Sequence, residues 1–209
     1  MPKQRVDRCG LSPSMVVGVT QGGRRSVVAH GVAGLTGKAL DGSAGFEIGS
    51  ITKLFTALLL ADMARRGEAA LDEPVAALPP PGTRVPERHG QPITLLQLAR
   101  HISGLPRLPP DVPPSSSEPY AGYTAERLYA FLADHKLART PGDGFEYSNL
   151  GAGLLGHALG LRAGLDYAGL VASRILQPLG MCDTAIRLPP ALAARFASGH
   201  DDSCEPVPA

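Results

Sequence analysis

Phe46-Glu47-Ile48-Gly49-Ser50-Ile51-Thr52-Lys53, running on through Leu54-Phe55-Thr56-Ala57-Leu58-Leu59-Leu60-Ala61-Asp62-Met63, decides the reading of this chain. Leu, Ala and Met are strong helix formers, and no Gly or Pro interrupts the run until Gly67. Apolar residues occupy nearly every face, which predicts a buried helix. Ser50 stands at its start and Lys53 three residues on, so the two side chains share a face. A hydroxyl at a helix N-terminus feels the positive end of the macrodipole. An ammonium held beside it in a dry setting loses basicity to its surroundings and can act as a base. That pairing suits an activated serine nucleophile. The same residues also fit a plain helix cap and a snorkelling surface lysine, so the motif needs support from elsewhere in the chain.

Upstream, Met15 to Thr20 and Arg25 to Ala33 are β-branched runs joined by Gln21-Gly22-Gly23-Arg24, which predicts a β-hairpin. Gly34 to Gly45 reads as a Gly-rich loop. Downstream the pattern is mostly helical. The long helix ends near Arg65-Arg66-Gly67. Thr94 caps a short helix reaching His101, and Thr124 caps another to about Lys136. Ser148-Asn149 opens a helix to about Leu161, and a further one runs from Tyr167 to about Leu176. Arg107 to Tyr120 is rich in Pro and Ser and reads as irregular and mobile.

The 209 residues suffice for one or two small domains with a core. Hydrophobic residues at 44% and charged residues at 19% are ordinary for a globular protein. A net charge of +1 offers no electrostatic case for nucleic acid or an anionic membrane as partner. No stretch approaches a transmembrane span, and no signal peptide is legible before Met15, so the expected localisation is cytoplasmic. Cys9, Cys182 and Cys204 are odd in number and widely spaced, which argues against a disulfide framework or paired zinc ligands.

A second chemical stretch is Pro141-Gly142-Asp143-Gly144-Phe145-Glu146-Tyr147-Ser148-Asn149. Tyr147 and Asn149, two apart at a turn into a helix, can both face one cleft. A tyrosine serves as a base only if nearby cations lower its pKa, and Lys53 would be that cation. An Asn side chain both donates and accepts, which suits holding a substrate amide. Alternatively Ser148 or Asn149 is a helix cap and Tyr147 a core residue.

Ser-x-x-Lys followed about a hundred residues later by Tyr-x-Asn resembles the serine β-lactamase and penicillin-binding-protein superfamily. Tyr-x-Asn points to its class C branch of β-lactamases, D-alanyl-D-alanine carboxypeptidases and esterases. Leu71-Asp72-Glu73-Pro74-Val75, His101-Ile102-Ser103-Gly104-Leu105-Pro106, Pro178 to Thr184 and Arg195 to His200 are similar to the same branch in order and spacing. The resemblance implies a mixed α/β plus all-α, β-lactamase/transpeptidase-like fold. Residues 1–75 would hold the N-terminal part of the sheet domain with the nucleophile helix, and 76–209 a mainly helical region. The implied roles are Ser50 as nucleophile, Lys53 assisting it, Tyr147 as general base and Asn149 as substrate-orienting residue. The Ser50 N–H would supply one oxyanion donor. No metal or cofactor is implied, and the substrate would be a small amide or ester. His101 reads as structural.

The family's third motif, Lys-Thr-Gly or His-x-Gly on a later strand, is not found here, and His30-Gly31 is in the wrong place for it. The expectation is therefore a truncated version of the fold. Its hairpin should carry an open edge through which chains associate, and its activity is the point to test. The competing expectation is a non-catalytic binding protein that keeps the fold.

Overall fold

The computed structural model describes residues 2–8, 12–33, 38–112, 120, 122–201 and 206–207. Cys9, Cys204 and residues 113–119 of the Pro/Ser-rich stretch lie outside the described residues. The chain divides into two compact units, Met1–Ile48 with Ala185–Ala209, and Gly49–Thr184. These bounds differ from the expected 1–75 and 76–209. The helix that begins beyond Ser50 groups with the helical unit, because its buried side chains belong to the helical core.

In the first unit, β1 (Ser14–Gln21) and β2 (Arg24–Ala33) pair antiparallel from Gln21↔Arg24 to Ser14↔Gly31. Gly22 and Gly23 both take positive φ, 56° and 76°, as a two-residue hairpin turn matched to strand twist requires. The expected hairpin is therefore present. The stretch read as loop holds one further short strand, β3 (Lys38–Ala39), which pairs with β2. The sheet order β1-β2-β3 leaves the outer edge of β1 unpaired among the described residues. A parallel bridge joins Gly45 to Phe196, and a short helix, Pro190–Ala193, precedes it.

The second unit is helical. Its elements are α1 (Thr52–Arg65), α2 (Leu95–Ala99), α3 (Ala125–Asp134), α4 (Asn149–Ala163) and α5 (Tyr167–Val171), the last extended by a wider turn through Leu176. Side-chain caps start most of them, as the sequence predicts. Thr94 and Gln97 form a capping box on α2, Thr124 accepts from the Arg127 N–H, and Ser148 accepts from the Gly151 N–H. The core draws Leu59, Leu60 and Met63 from α1, Leu95 and Leu98 from α2, and Leu128 and Leu132 from α3. Leu154, Leu155 and Leu159 of α4 complete its centre.

α1 departs from the expectation of burial on every face. Leu54 is 69% exposed and Leu58 48%, whereas Thr56, Leu59, Leu60 and Met63 are buried. The physical reason is coverage: only the face turned to the other helices of its unit loses solvent.

Candidate active site

Ser50 lies in a single 3-10 turn, Gly49–Ile51, that leads directly into α1. Gly49 takes φ 51°, a left-handed conformation that costs glycine little, and it sets the sharp entry to that turn. One turn later the chain places Lys53 Nζ 3.1 Å from Ser50 Oγ. Ser50 itself is exposed to solvent.

Tyr147 arrives from a different element. The loop before α4 is docked on the segment after α2. The Gly142 N–H donates to the Ile102 carbonyl and the Glu146 N–H to that of His101, both at 2.8 Å. An Arg139–Glu146 ion pair braces the same loop. Ser148 is the buried pivot. Its Oγ accepts from the Gly151 N–H at 2.8 Å and donates to the Pro106 carbonyl at 2.7 Å, and its N–H donates to His101 Nδ1 at 3.2 Å. With Ser148 pinned as the cap, Tyr147 and Asn149 flank it. The Tyr147 hydroxyl then donates to Ser50 Oγ at 2.6 Å.

Ser50 Oγ therefore accepts from both Lys53 and Tyr147. Lys53 Nζ also lies 4.7 Å from the Tyr147 ring centroid. The Tyr147 hydroxyl is held below its ordinary value, first by Lys53 and then by its bond to Ser50, with smaller help from the Arg107 charge. His101 stacks at a tilt on the Tyr147 ring, 4.7 Å between centroids. Burial, then the Lys53 charge, pushes His101 down toward the neutral form. It accepts from Ser148, so it acts as a brace for the loop, as its sequence context suggests.

Asn149 Nδ2 donates to the Tyr120 hydroxyl at 2.9 Å, while its Oδ1 is buried and has no partner among the described residues. Both residues line a groove of about 870 Å³ that begins at Gly49 and Ser50 and continues between α1 and α4 to Tyr167. Sequence reasoning missed Tyr120, Arg107 and His157, which also approach the site. Arg107 follows directly on the Gly104-Leu105-Pro106 turn, and that adjacency was the available signal. Tyr120 ends a stretch with no periodicity to read. Among the described residues, no group of three or more His, Cys, Asp or Glu is placed to hold a metal ion.

A serine oxygen facing an ammonium and a phenol, beside such a groove, is equipped for proton transfer and nucleophilic attack. The Beta-lactamase family model matches residues 3–209. This chain belongs to the Beta-lactamase family. Among its relatives is the D-alanyl-D-alanine-carboxypeptidase/endopeptidase AmpH of Escherichia coli strain K12. The two are 40% identical over 139 residues, covering 66% of this chain and 36% of AmpH. A beta-lactamase of the same organism is 32% identical over 190 residues, covering 90% of this chain and 47% of that protein. In three dimensions the chain is similar to the beta-lactamase/D-alanine carboxypeptidase of Yersinia pestis, solved with citrate. The TM-score is 0.83 at 31% identity, covering 90% of this chain and 54% of that one. The fold is thus the β-lactamase/transpeptidase-like one. This family member spans between about a third and a half of the length of the curated relatives named here.

Proposed function

We propose that this chain carries the acylating centre of a serine hydrolase that cleaves an amide or ester through an acyl-serine. The observation that supports it is the convergence of Lys53 Nζ and the Tyr147 hydroxyl on Ser50 Oγ, at 3.1 and 2.6 Å. In the resting arrangement Tyr147 donates. Once deprotonated beside Lys53, it accepts the Ser50 proton along the same contact. Ser50 Oγ then attacks the carbonyl carbon, and the negative charge gathers on the substrate oxygen. The Ser50 N–H, at the N-terminal approach to α1, faces that charge. Tyr147 passes its proton to the departing nitrogen or oxygen as the scissile bond breaks. A water molecule next gives a proton to Tyr147 and adds to the acyl carbon, and Ser50 leaves carrying that proton.

Asn149 fits the role of orienting the substrate amide. Its buried Oδ1, without a partner among the described residues, is an acceptor whose isolation costs about 1–3 kcal/mol, and a substrate N–H would relieve it. The names of the relatives make β-lactams and D-alanyl peptides the substrates to try first.

The test is intact-protein mass spectrometry after a fluorophosphonate probe. One adduct per chain is expected, and none on Ser50→Ala. An unlabelled parent protein, or an adduct that survives the substitution, overturns the reading.

A further inference from the structure

A separate hollow in the helical unit, of about 510 Å³, shares no residue with the groove at Ser50. It sits between a small hairpin and the end of α3. The hairpin pairs β4 (Glu87–Arg88) with β5 (Gln91–Pro92) through a turn in which His89 and Gly90 both take positive φ, 54° and 71°. A side chain in that conformation is uncommon, although His is among the residues that adopt it. The His89 ring is held, with Nδ1 hydrogen-bonded to Thr140 Oγ1 at 3.1 Å. Arg88 donates through Nη1 to the carbonyl of Leu137, just past the end of α3. These two bonds tie the hairpin to the chain that leaves α3, so the two walls of the hollow are joined.

The charge of the hollow is one-sided. Arg84, Arg88 and Lys136 line it, against the single carboxylate of Glu87. Burial pushes His135, also in the wall, toward the neutral form. A concave wall with one sign of charge in excess draws a counter-ion. The Arg88 guanidinium has more N–H donors than its bond to Leu137 uses, and an ammonium such as that of Lys136 serves a phosphate as a point charge. Three cations against one carboxylate leave a surplus that suits a phosphate monoester, which carries about −1.5 to −2 at neutral pH. Val85, Pro86 and Ala133 are half-buried and give the ester's organic part an apolar wall. The volume falls within the roughly 300–1,000 Å³ usual for small-molecule sites.

We propose that this hollow binds a small organic phosphate monoester, with Arg88 and Lys136 holding the phosphate and Val85 and Pro86 against the organic group. The site stands apart from Ser50 and does not depend on the acyl-transfer reading.

The experiment is isothermal titration calorimetry of the whole chain with phenyl phosphate at neutral pH and low ionic strength. Phenyl phosphate should bind about 10-fold or more tightly than benzenesulfonate, which has the same ring and less charge. Arg88→Gln should weaken it by about 10- to 100-fold, the range of a charge-assisted hydrogen bond. Lys136→Gln should weaken it by about 2- to 5-fold, and Glu87→Gln should tighten it by a similar factor, as exposed charge pairs do. A gain in Glu87→Gln is an effect that misfolding does not produce, so the proposal is tested even if Arg88→Gln, which loses its bond to Leu137, fails to fold. Lys53→Gln, in the groove at Ser50, should leave the affinity unchanged. No binding of phenyl phosphate, equal binding of benzenesulfonate, or an affinity unmoved in Lys136→Gln and Glu87→Gln overturns the proposal. A loss in Lys53→Gln overturns it too, since that places the anion at Ser50.

Discussion

The carbonyl oxygen of Leu165 lies 2.8 Å from the position that a Cβ on Gly160 would occupy, while the Leu165 N–H donates to the Gly160 carbonyl at 3.1 Å. The chain leaving α4 is thus folded back onto its last turn, with backbone against backbone. Gly153, seven residues earlier on the same helix, has nothing within 4 Å of its own Cβ position. One helix therefore carries one glycine that steric contact demands and one that it does not.

Gly160→Ala should destabilise the protein. Overpacking against a fixed carbonyl costs about 1–3 kcal/mol, and the gain in helix propensity returns about 1 kcal/mol. Gly153→Ala meets no contact and should raise stability by up to about 1 kcal/mol. Urea denaturation of the two variants checks the pair. Equal shifts in the same direction would mean that the Leu165 carbonyl yields freely.

Tyr147 must be a phenolate to accept the Ser50 proton, and its hydroxyl is held below the ordinary 10.0 by Lys53 first. Acylation should therefore rise with pH through a limb that lies below that value. Lys53→Gln should move the limb upward, because the leading cause of the shift is gone. Tyr147→Phe should slow acylation by about 10²- to 10⁴-fold at any pH. Labelling rates against pH measure all three, and a limb unmoved in Lys53→Gln would separate Tyr147 from the ammonium.

Much of this arrangement is legible in the sequence because it is local. The Ser50–Lys53 spacing is set by one helical turn, and the Thr94, Thr124 and Ser148 caps follow from side chains that reach three residues ahead. The two-glycine turn at Gly22-Gly23 likewise fixes its own hairpin. What the sequence cannot express is which face of an apolar helix meets a partner. Leu54 and Leu59 are the same residue type on the same helix, yet one is exposed and the other fully buried. The approach of Tyr147 to Ser50 depends on backbone bonds from Gly142 and Glu146 to residues 101 and 102, which no motif records. The exposure of Arg107 and its approach to the Tyr147 ring are properties of the folded chain alone.

Three half-buried imidazoles give the helical unit an acid sensitivity. Burial holds His101, His135 and His157 below the ordinary 6.5. A group whose folded pKa is depressed contributes stability that is complete above its unfolded pKa and lost as pH falls through its folded one. The unfolded chain thus takes up these protons first, and stability should decline as pH drops below 6.5. His135, stacked on Phe131 and remote from Ser50, is the residue to remove. His135→Gln should shrink the loss of urea midpoint between neutral pH and about pH 5 without altering fluorophosphonate labelling. An identical acid slope in parent and variant would assign the sensitivity elsewhere.

The hairpin is the expected site of self-association. The outer edge of β1 has no strand beside it among the described residues. Val17 and Val19 on that strand are 37% and 53% exposed, and Val27 and Val28 of its partner are 53% and 54% exposed. An edge with free backbone donors and acceptors, flanked by apolar side chains, is a template for a second strand. Light scattering on a concentration series should show the mass of this chain rising above that of a monomer. Val19→Lys places a charge on the edge strand, where it opposes pairing while leaving the helical core untouched, and should return the mass to the monomer value. A parent chain that stays monomeric across the series, or a variant that associates as the parent does, would show that strand pairing at β1 is not the contact.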